Sequence, residues 1–375
     1  MDLKVTTVKS KSDLVKFIKS QWNFYQNDKY FIPPIIADRI KLLSKDRNPF
    51  FKHAEMELFM VESDGKVVGR IAAIKNDNHN IIHKDKIGFF GFFECIDNQE
   101  VADLLFQKAT DWLKSKGLTH ARGPLNPSIN DEIGTLIEGF DDSPQILMTY
   151  NPRYYPKLIE NAGFAKVKDL FAYKLHYRDF ATDKMKRLQG LLREKYKVTV
   201  REVNFKNKKQ FLEDIETLKG IYNKAWQMNW GAVKMTDEEF DYLAADLKPI
   251  AEQSLVYIID VKGKPAGFHI ALPDLNQVFK YNRSGSMIGA IWHMLTKKRT
   301  INRVRIMVLG VLPEYQKLGL DAILYYESGE RADKLKLNDA EASWILEDNE
   351  MMNKGLTTSM NGKVYKKYRV YEKAI

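Results

Sequence analysis

One cysteine, Cys95, stands in the whole chain of 375 residues. A single thiol cannot close a disulfide within the chain, so the fold must rest on its apolar core, and the sequence fits a reducing, cytoplasmic setting. Cys95 lies in the strand-like run Gly-Phe-Phe-Glu-Cys-Ile, where a buried, inert thiol is expected rather than a nucleophile. No apolar run reaches the roughly 18 residues that a membrane-crossing helix needs. The start, Met-Asp-Leu-Lys-Val-Thr, lacks the apolar core of a signal peptide. No His/Cys/Asp cluster of metal-ligand spacing is read, so no metal is expected. No Ser-His-Asp order is marked by a nucleophile elbow, and no Gly-x-x-x-x-Gly-Lys phosphate loop occurs.

What the chain does have is aromatic content and positive charge. Lys and Arg number 59 against 49 Asp and Glu, a formal net charge of +10. That balance permits an anionic partner. The charges are dispersed and no DNA- or RNA-binding motif appears, so nucleic acid is not the expected partner and a solvated basic surface is.

Periodicity organises the chain into two similar halves. In the first, residues 10–28 carry the apolar stripe of a helix, with Leu14, Phe17, Ile18, Trp22 and Phe24, and residues 36–43 a shorter one. A hairpin follows over 57–74, turned by Asp64-Gly65, then a strand over 87–96, a helix over 99–116 stopped by Gly117, an irregular acidic loop, a helix over 150–163 and a strand over 165–175. Residues 181–196 form a basic amphipathic helix that reads as a linker. The second half starts with a strand over 198–203 and a helix over 208–226. Thr236-Asp-Glu-Glu then opens a helix over 237–247, and a second hairpin spans 255–272. Asp64-Gly-Lys-Val-Val-Gly69 and Val261-Lys-Gly-Lys-Pro-Ala-Gly267 align in turn, small residue and following strand, which reads as a duplicated domain. An apolar helix over 287–295 precedes the stretch on which the function turns.

That stretch is Arg303-Val-Arg-Ile-Met-Val-Leu-Gly-Val-Leu-Pro-Glu-Tyr-Gln-Lys-Leu-Gly-Leu-Asp-Ala. A strand runs over 304–312, and Pro313 ends it for want of an N–H. A short turn over 316–319 leads into a helix with Leu320, Ile323, Leu324 and Ala332 on one face. Strand, glycine turn and helix start together offer free amides and a positive helix end, which suits a pyrophosphate. The spacing Gln316-x-x-Gly319-x-Asp321-Ala322 resembles the Gln/Arg-x-x-Gly-x-Gly/Ala loop of the GCN5-related N-acetyltransferases (GNAT), as does Val311-x-Pro313-x-Tyr315-Gln316. The element order of both halves resembles that family too, as does Asn151-x-x-x-Tyr155-x-x-x-x-x-x-x-Gly163-Phe164. Over nearly its whole length the chain is similar to long bacterial tandem-GNAT-fold proteins of unassigned substrate. Asp321 departs from the pattern, because a carboxylate facing a diphosphate is repelled by it. In the first half, Cys95-Ile-Asp-Asn-Gln-Glu replaces the glycine loop altogether.

The resemblance implies an α/β (α+β) fold of two tandem acyl-CoA N-acyltransferase-like domains with mixed central sheets flanked by helices. The N-terminal domain, 1–180, would be free of cofactor, 181–197 would link, and 198–375 would carry the acetyl-CoA loop. It implies acetyl-CoA or another acyl-CoA as co-substrate, held through Gly310, Val311 and Leu312 along the pantetheine and through Gln316, Lys317, Leu318, Gly319, Leu320, Asp321 and Ala322 at the pyrophosphate. Asn349 and Asn353 are candidates for further pantetheine contacts or for helix capping. Tyr365 and Tyr368 are candidate acids for the departing thiolate, Glu347 and Asp348 candidate bases, and Trp226 and Trp230 candidate walls of an acceptor pocket. The activity implied is acyl transfer to the amine of a small molecule or peptide. Two other readings stay open: a non-catalytic binding protein whose cofactor site has lapsed at Asp321, and an aminoacyl-tRNA-dependent transferase.

Overall fold

The computed structural model describes residues 2–180, 182–226 and 229–375. Along the chain run β1 (Lys4–Thr7), α1 (Lys11–Lys19), α2 (Ile36–Leu42), β2 (Ala54–Ser63), β3 (Lys66–Asn76), α3 (Asp77–His83), β4 (Ile87–Cys95), α4 (Gln99–Ser115), β5 (His120–Gly123), β6 (Leu125–Asn126), β7 (Glu132–Ile133), β8 (Thr135–Glu138), α5 (Tyr155–Asn161) and β9 (Ala165–His176). There follow α6 (Tyr177–Phe180), α7 (Asp183–Tyr196), β10 (Val198–Glu202), α8 (Lys208–Ala225), α9 (Asp237–Leu247), β11 (Val256–Val261), β12 (Lys264–Pro273), α10 (Asn276–Phe279) and α11 (Met287–Lys297). The chain ends with β13 (Arg303–Val311), α12 (Asp321–Lys334), β14 (Asp339–Leu346), α13 (Glu350–Lys354) and β15 (Lys363–Ala374).

Two compact units result, each gathered from several segments. The first takes Met1–Leu170, Val278–Lys298 and Lys366–Ile375, and the second Phe171–Gln277 and Arg299–Tyr365. Each is a mixed sheet flanked by helices. In the first unit β1 to β5 lie side by side in sequence order, antiparallel except for the parallel pair β4–β5, and the end of β15 closes on β5 with Tyr371 opposite Gly123. In the second, β10 to β14 repeat the order, and the parallel pair is β13–β14. α4 packs on the first sheet through Val101, Leu105, Ala109 and Leu113. α8 and α12 take opposite faces of the second: Ile258 and Phe268 meet α8, while Tyr257, Ile259 and Ala266 meet α12. The alternation along β11 is what a strand buried on both faces requires.

The two hairpins repeat in detail. Asp64 and Gly65 turn the first at φ of 49° and 74°, and Lys262 and Gly263 the second at 51° and 75°, so both turns use left-handed backbone at both central positions. Each hairpin has a register shift just before its turn, at Val61/Glu62 and at Ile259/Asp260.

Four elements differ from the sequence expectation. The first helix stops at Lys19 and continues as a 3₁₀ turn over Ser20–Phe24, where the Ser20 hydroxyl donates back to the Phe17 carbonyl at 2.7 Å. The helix expected over 150–163 is confined to Tyr155–Asn161; ahead of it the Asn151 side-chain amide accepts from the Leu136 amide and donates to the Leu136 carbonyl. Residues expected as a turn before Gly319 form a 3₁₀ helix, Pro313–Leu318. The expected linker helix, α7, packs within the second unit: its Leu192 touches Ala322 and Tyr326 of α12, and its Arg193 pairs with Glu327 at 2.5 Å.

Candidate functional site

The site begins where β13 and β14 part. They pair from Arg303/Asp339 to Ile306/Ala342 and no further, although β13 runs on to Val311 and β14 to Leu346. A bulge in β13 sets the point of divergence, because the β12 register shifts between Ile270/Val308 and Ala271/Ile306 and leaves Met307 over. A bulge bends its strand and increases the local twist. Beyond it Met307, Val308 and Leu309 on one strand and Trp344 and Ile345 on the other are only half-buried. No longer paired with each other and partly reached by solvent, these two strand ends bound the candidate groove.

The far end of β13 supplies the polar end of the groove. Gly310 pairs with Phe268 and Val311 with Gly267, and the Leu312 amide donates to the Ala266 carbonyl at 2.8 Å. The Gln316 side chain turns back to the Val311 carbonyl at 3.3 Å. Gly319 takes a left-handed φ of 72°, and a Cβ there would meet Leu192 at an ordinary contact distance of 3.7 Å. The amides of Ala322, Ile323 and Leu324 donate to the Gly319 and Leu320 carbonyls, so those of Gly319, Leu320 and Asp321 come ahead of the first helical bond. The N-cap residue, Leu320, makes no side-chain hydrogen bond to this helix, and the start of a helix carries a positive end. Lys317 is exposed beside it, whereas Leu320 and Ala322 are buried and anchor the turn. Asp321 keeps its solvent contact, yet the surrounding protein raises its carboxyl above the ordinary carboxylate pKa, against the pull of hydrogen bonds from its own amide and that of Ala322. The carboxyl therefore leans over the helix start that a diphosphate would use.

Trp226 lies against Gly310: an added Cβ would meet its ring at 2.2 Å. It stacks on Tyr222 with ring centroids 5.0 Å apart and tilts against Phe268, so it walls β13 from the α8 side. Trp230 is half-buried in the turn before Gly231. At the end of β14, Glu347 is half-buried and Asp348 exposed. Asn349 caps α13 by accepting from the Met352 amide at 3.1 Å. Asn353 donates to the Leu346 and Glu347 carbonyls at 3.0 and 3.2 Å and accepts from the Tyr173 hydroxyl at 2.9 Å. Both asparagines are engaged with protein groups and fix the end of β14.

The two tyrosines separate. Tyr368 is fully buried in the first unit, opposite Leu136 and against Gly134. Tyr365, in the second unit, donates to Glu341 in a very short hydrogen bond. Sequence reasoning missed this network. Glu341 is fully buried and also accepts from the Ser343 hydroxyl at 2.5 Å, while Arg305, opposite it in register, donates to Ser343 at 3.0 Å. The available signal was a charged residue inside each of two apolar strands, Arg305 and Glu341. The network gives the second unit a buried proton-bearing chain whose outer member is a phenol.

The first unit has the same strand divergence, filled. β4 and β5 pair only from Ile87/His120 to Phe89/Arg122, but every residue of β4 is buried. A Cβ at Gly91 would stand 1.7 Å from the Leu125 carbonyl oxygen, and the Phe92 amide donates to Asn126 Oδ1 at 2.6 Å, so the chain after β5 lies in the gap. The Tyr155 hydroxyl reaches the Cys95 amide at 2.9 Å, and Tyr154 donates to the Cys95 carbonyl at 2.8 Å. Asn98 caps α4 by accepting from Val101 at 3.2 Å. Cys95 itself is fully buried, and burial pushes its thiol pKa far up. Glu94 beside it is buried among Tyr25, Tyr155, Gln21 and Arg70, and burial raises its pKa. A cleft of about 580 Å³ opens elsewhere in this unit, between Trp22, Tyr25, Asp28, Phe31 and Arg283. The sequence reading also overlooked the i, i+4 pair His79 and His83, whose rings lie 4.4 Å apart in α3. Burial lowers His79 to about 3 and keeps it neutral. Among the described residues no three potential ligands gather to hold a metal ion.

No family model matches the chain. It is 34% identical over 386 residues to a protein named bacterial ceramide synthase from Caulobacter vibrioides, covering all of this chain and 98% of that one. It is also 34% identical over 379 residues to protein YghO of Escherichia coli, covering 99% of this chain and 95% of that one. Among solved structures, a tandem GNAT protein from the clavulanic acid biosynthesis pathway superposes over all of this chain and 98% of its own, with a TM-score of 0.59 at 10% identity. At that identity the last likeness establishes the fold.

Proposed function

This chain belongs to the family of long bacterial tandem GNAT-fold proteins that includes the Caulobacter ceramide synthase and YghO, and we propose that it is an acyl-CoA-dependent N-acyltransferase whose acceptor is the amine of a long-chain amino alcohol. The observation that carries the reaction class is the divergence of β13 from β14 beyond Ile306/Ala342, with a helix start at its polar end. The acceptor class follows from the ceramide synthase relative, whose product by its name is an N-acylated amino alcohol.

In this reading the main chain of Gly310, Val311 and Leu312 lines the pantetheine, and residues 316–322 receive the pyrophosphate. The thioester supplies an activated acyl group. The acceptor ammonium gives up a proton, for which Glu347 and Asp348 are the candidate bases, and the free amine adds to the thioester carbonyl. Collapse of the adduct forms the amide bond, breaks the carbon–sulfur bond and leaves a thiolate. That thiolate takes a proton from Tyr365, whose phenol is oriented by Glu341, and ends as the free thiol, while the second proton shed by the adduct's nitrogen restores the phenol. Trp226 holds the β13 wall rigid.

The test is release of free thiol from a long-chain acyl-CoA with and without a sphingoid-type amine. Amine-dependent release is expected, with Tyr365→Phe lowering kcat by about 10²-fold or more at similar KM. Release that is indifferent to amine, or a Tyr365→Phe protein with unchanged kcat, contradicts the reading.

A further inference from the structure

α11 is mounted back to front. Its apolar residues Ile288, Ile291, Trp292 and Leu295 recur at i, i+3, i+4 and i+7, the spacing that normally faces a core. Here they are 82%, 53%, 64% and 80% exposed, and Ala290 is the helix's one fully buried residue. The helix is nonetheless firmly seated. Ser286 caps it by accepting from Gly289 at 3.0 Å, the Trp22 indole donates to the Arg283 carbonyl at 2.8 Å, the Ile36 amide donates to the Gly285 carbonyl at 2.9 Å, and Arg283 donates to the Phe31 carbonyl at 3.2 Å. A fixed helix that shows its apolar stripe to solvent is a docking surface rather than a frayed segment.

Its charge says what it docks on. Lys280, Arg283, Lys297 and Lys298 flank the helix, and no Asp or Glu occurs between Asp274 and Glu314. Lys280 and Lys297 lie over the Tyr281 ring at 5.2 and 4.6 Å, so a half-exposed aromatic and two ammonium groups stand together beside the stripe. Exposed aliphatic side chains, a tryptophan and a tyrosine, and flanking sequence whose only charges are cationic are what an anionic bilayer surface binds. At 11 residues the helix is too short to span a bilayer, which takes about 20, so it would lie in the plane of the interface. We propose that α11 and its cationic rim seat this protein on the headgroup layer of an anionic membrane. The inference stands on this helix alone and does not depend on the reaction proposed above.

The experiment is co-sedimentation of the full chain with phosphatidylcholine vesicles containing or lacking about 30% phosphatidylglycerol. Binding is expected to the anionic vesicles, to weaken with added salt and to fall at least about tenfold in Ile288→Ser/Leu295→Ser, which removes only exposed groups and should keep the native circular dichroism. Leu212→Ser serves as the control: Leu212 is also exposed but is followed by Glu213, and binding should not change. As a check free of the double variant, bromolipid quenching of tryptophan emission should be lost in Trp292→Phe. Absence of vesicle binding, or equal binding by the double variant, overturns the proposal. So does a lipid-free, concentration-dependent self-association that the double variant abolishes while vesicles capture neither protein, since the face would then belong to a second copy of the chain.

Discussion

β4 and β13 are the same strand in two copies of one fold, and they end differently. Both follow a hairpin, pair in parallel with the next strand for a few residues, and hand a backbone amide to the hairpin: Ile96 to Val68 at 3.0 Å, Leu312 to Ala266 at 2.8 Å. Past that point the first copy occupies its own gap with Leu125 and Asn126, ties off Cys95 with two tyrosines and caps α4 with Asn98. The second leaves its strand edges half-buried, and the N-cap residue of α12 makes no side-chain hydrogen bond to it. The comparison shows how a duplicated fold divides labour. Side chains that satisfy the backbone fill the gap in the first copy, where the second keeps the strand edges on which the proposed cofactor site rests.

That division predicts where damage is felt. In the filled copy the largest effect should come from Glu94→Ala, which strips a fully enclosed cluster of its carboxylate and leaves Arg70 buried without it. A loss of about 3–5 kcal/mol is expected, read as a lower denaturation midpoint, and a change below about 1 kcal/mol would mean the cluster is not the keystone of that unit. In the open copy His269 should make the fold acid-sensitive. It is fully buried, stacks on Tyr257 and donates from Nδ1 to the Leu255 carbonyl at 3.1 Å, and burial lowers its pKa to about 4. The unfolded chain binds this proton near pH 6.5, so stability is whole above that pH and falls by about 3 kcal/mol as pH drops toward 4. Denaturation midpoints across that window should slope less in His269→Gln; equal slopes would remove His269 as a cause. The smallest effect should sharpen the contrast at the helix start. Asp321→Asn removes one charge facing the diphosphate, worth about 1 kcal/mol at near-water dielectric, so CoA should bind about fivefold tighter. Lowering the pH through the raised pKa of Asp321 should tighten the wild type in the same sense and leave the variant flat. Weaker binding by the variant would show that the carboxylate helps rather than hinders.

Much of this contrast could be read from the residues. The hairpin turns, the glycine after the cofactor strand and its replacement by Cys95-Ile-Asp-Asn are local signals, and each fixes backbone geometry through φ or a missing Cβ. What could not be read was contact across the chain. That Asn126 fills the gap beside β4, that Asn353 is engaged by Tyr173, and that Tyr365 rests on a buried Glu341 all depend on residues far apart in sequence. Charged residues within apolar strands, such as Glu94, Arg305 and Glu341, hint that a partner exists without naming it. The outward direction of the α11 stripe was not legible either, since periodicity identifies a helix face but not what lies opposite it.

The central claim is that one of the two copies, and only the second, receives the cofactor. Calorimetric titration of the full chain with CoA tests it most directly. The account predicts one site per chain, which survives Asn98→Ala in the filled copy and is lost in Gly310→Val, where a side chain would collide with Trp226 in the groove wall. Two sites per chain, or no binding of CoA at millimolar ligand, would contradict it.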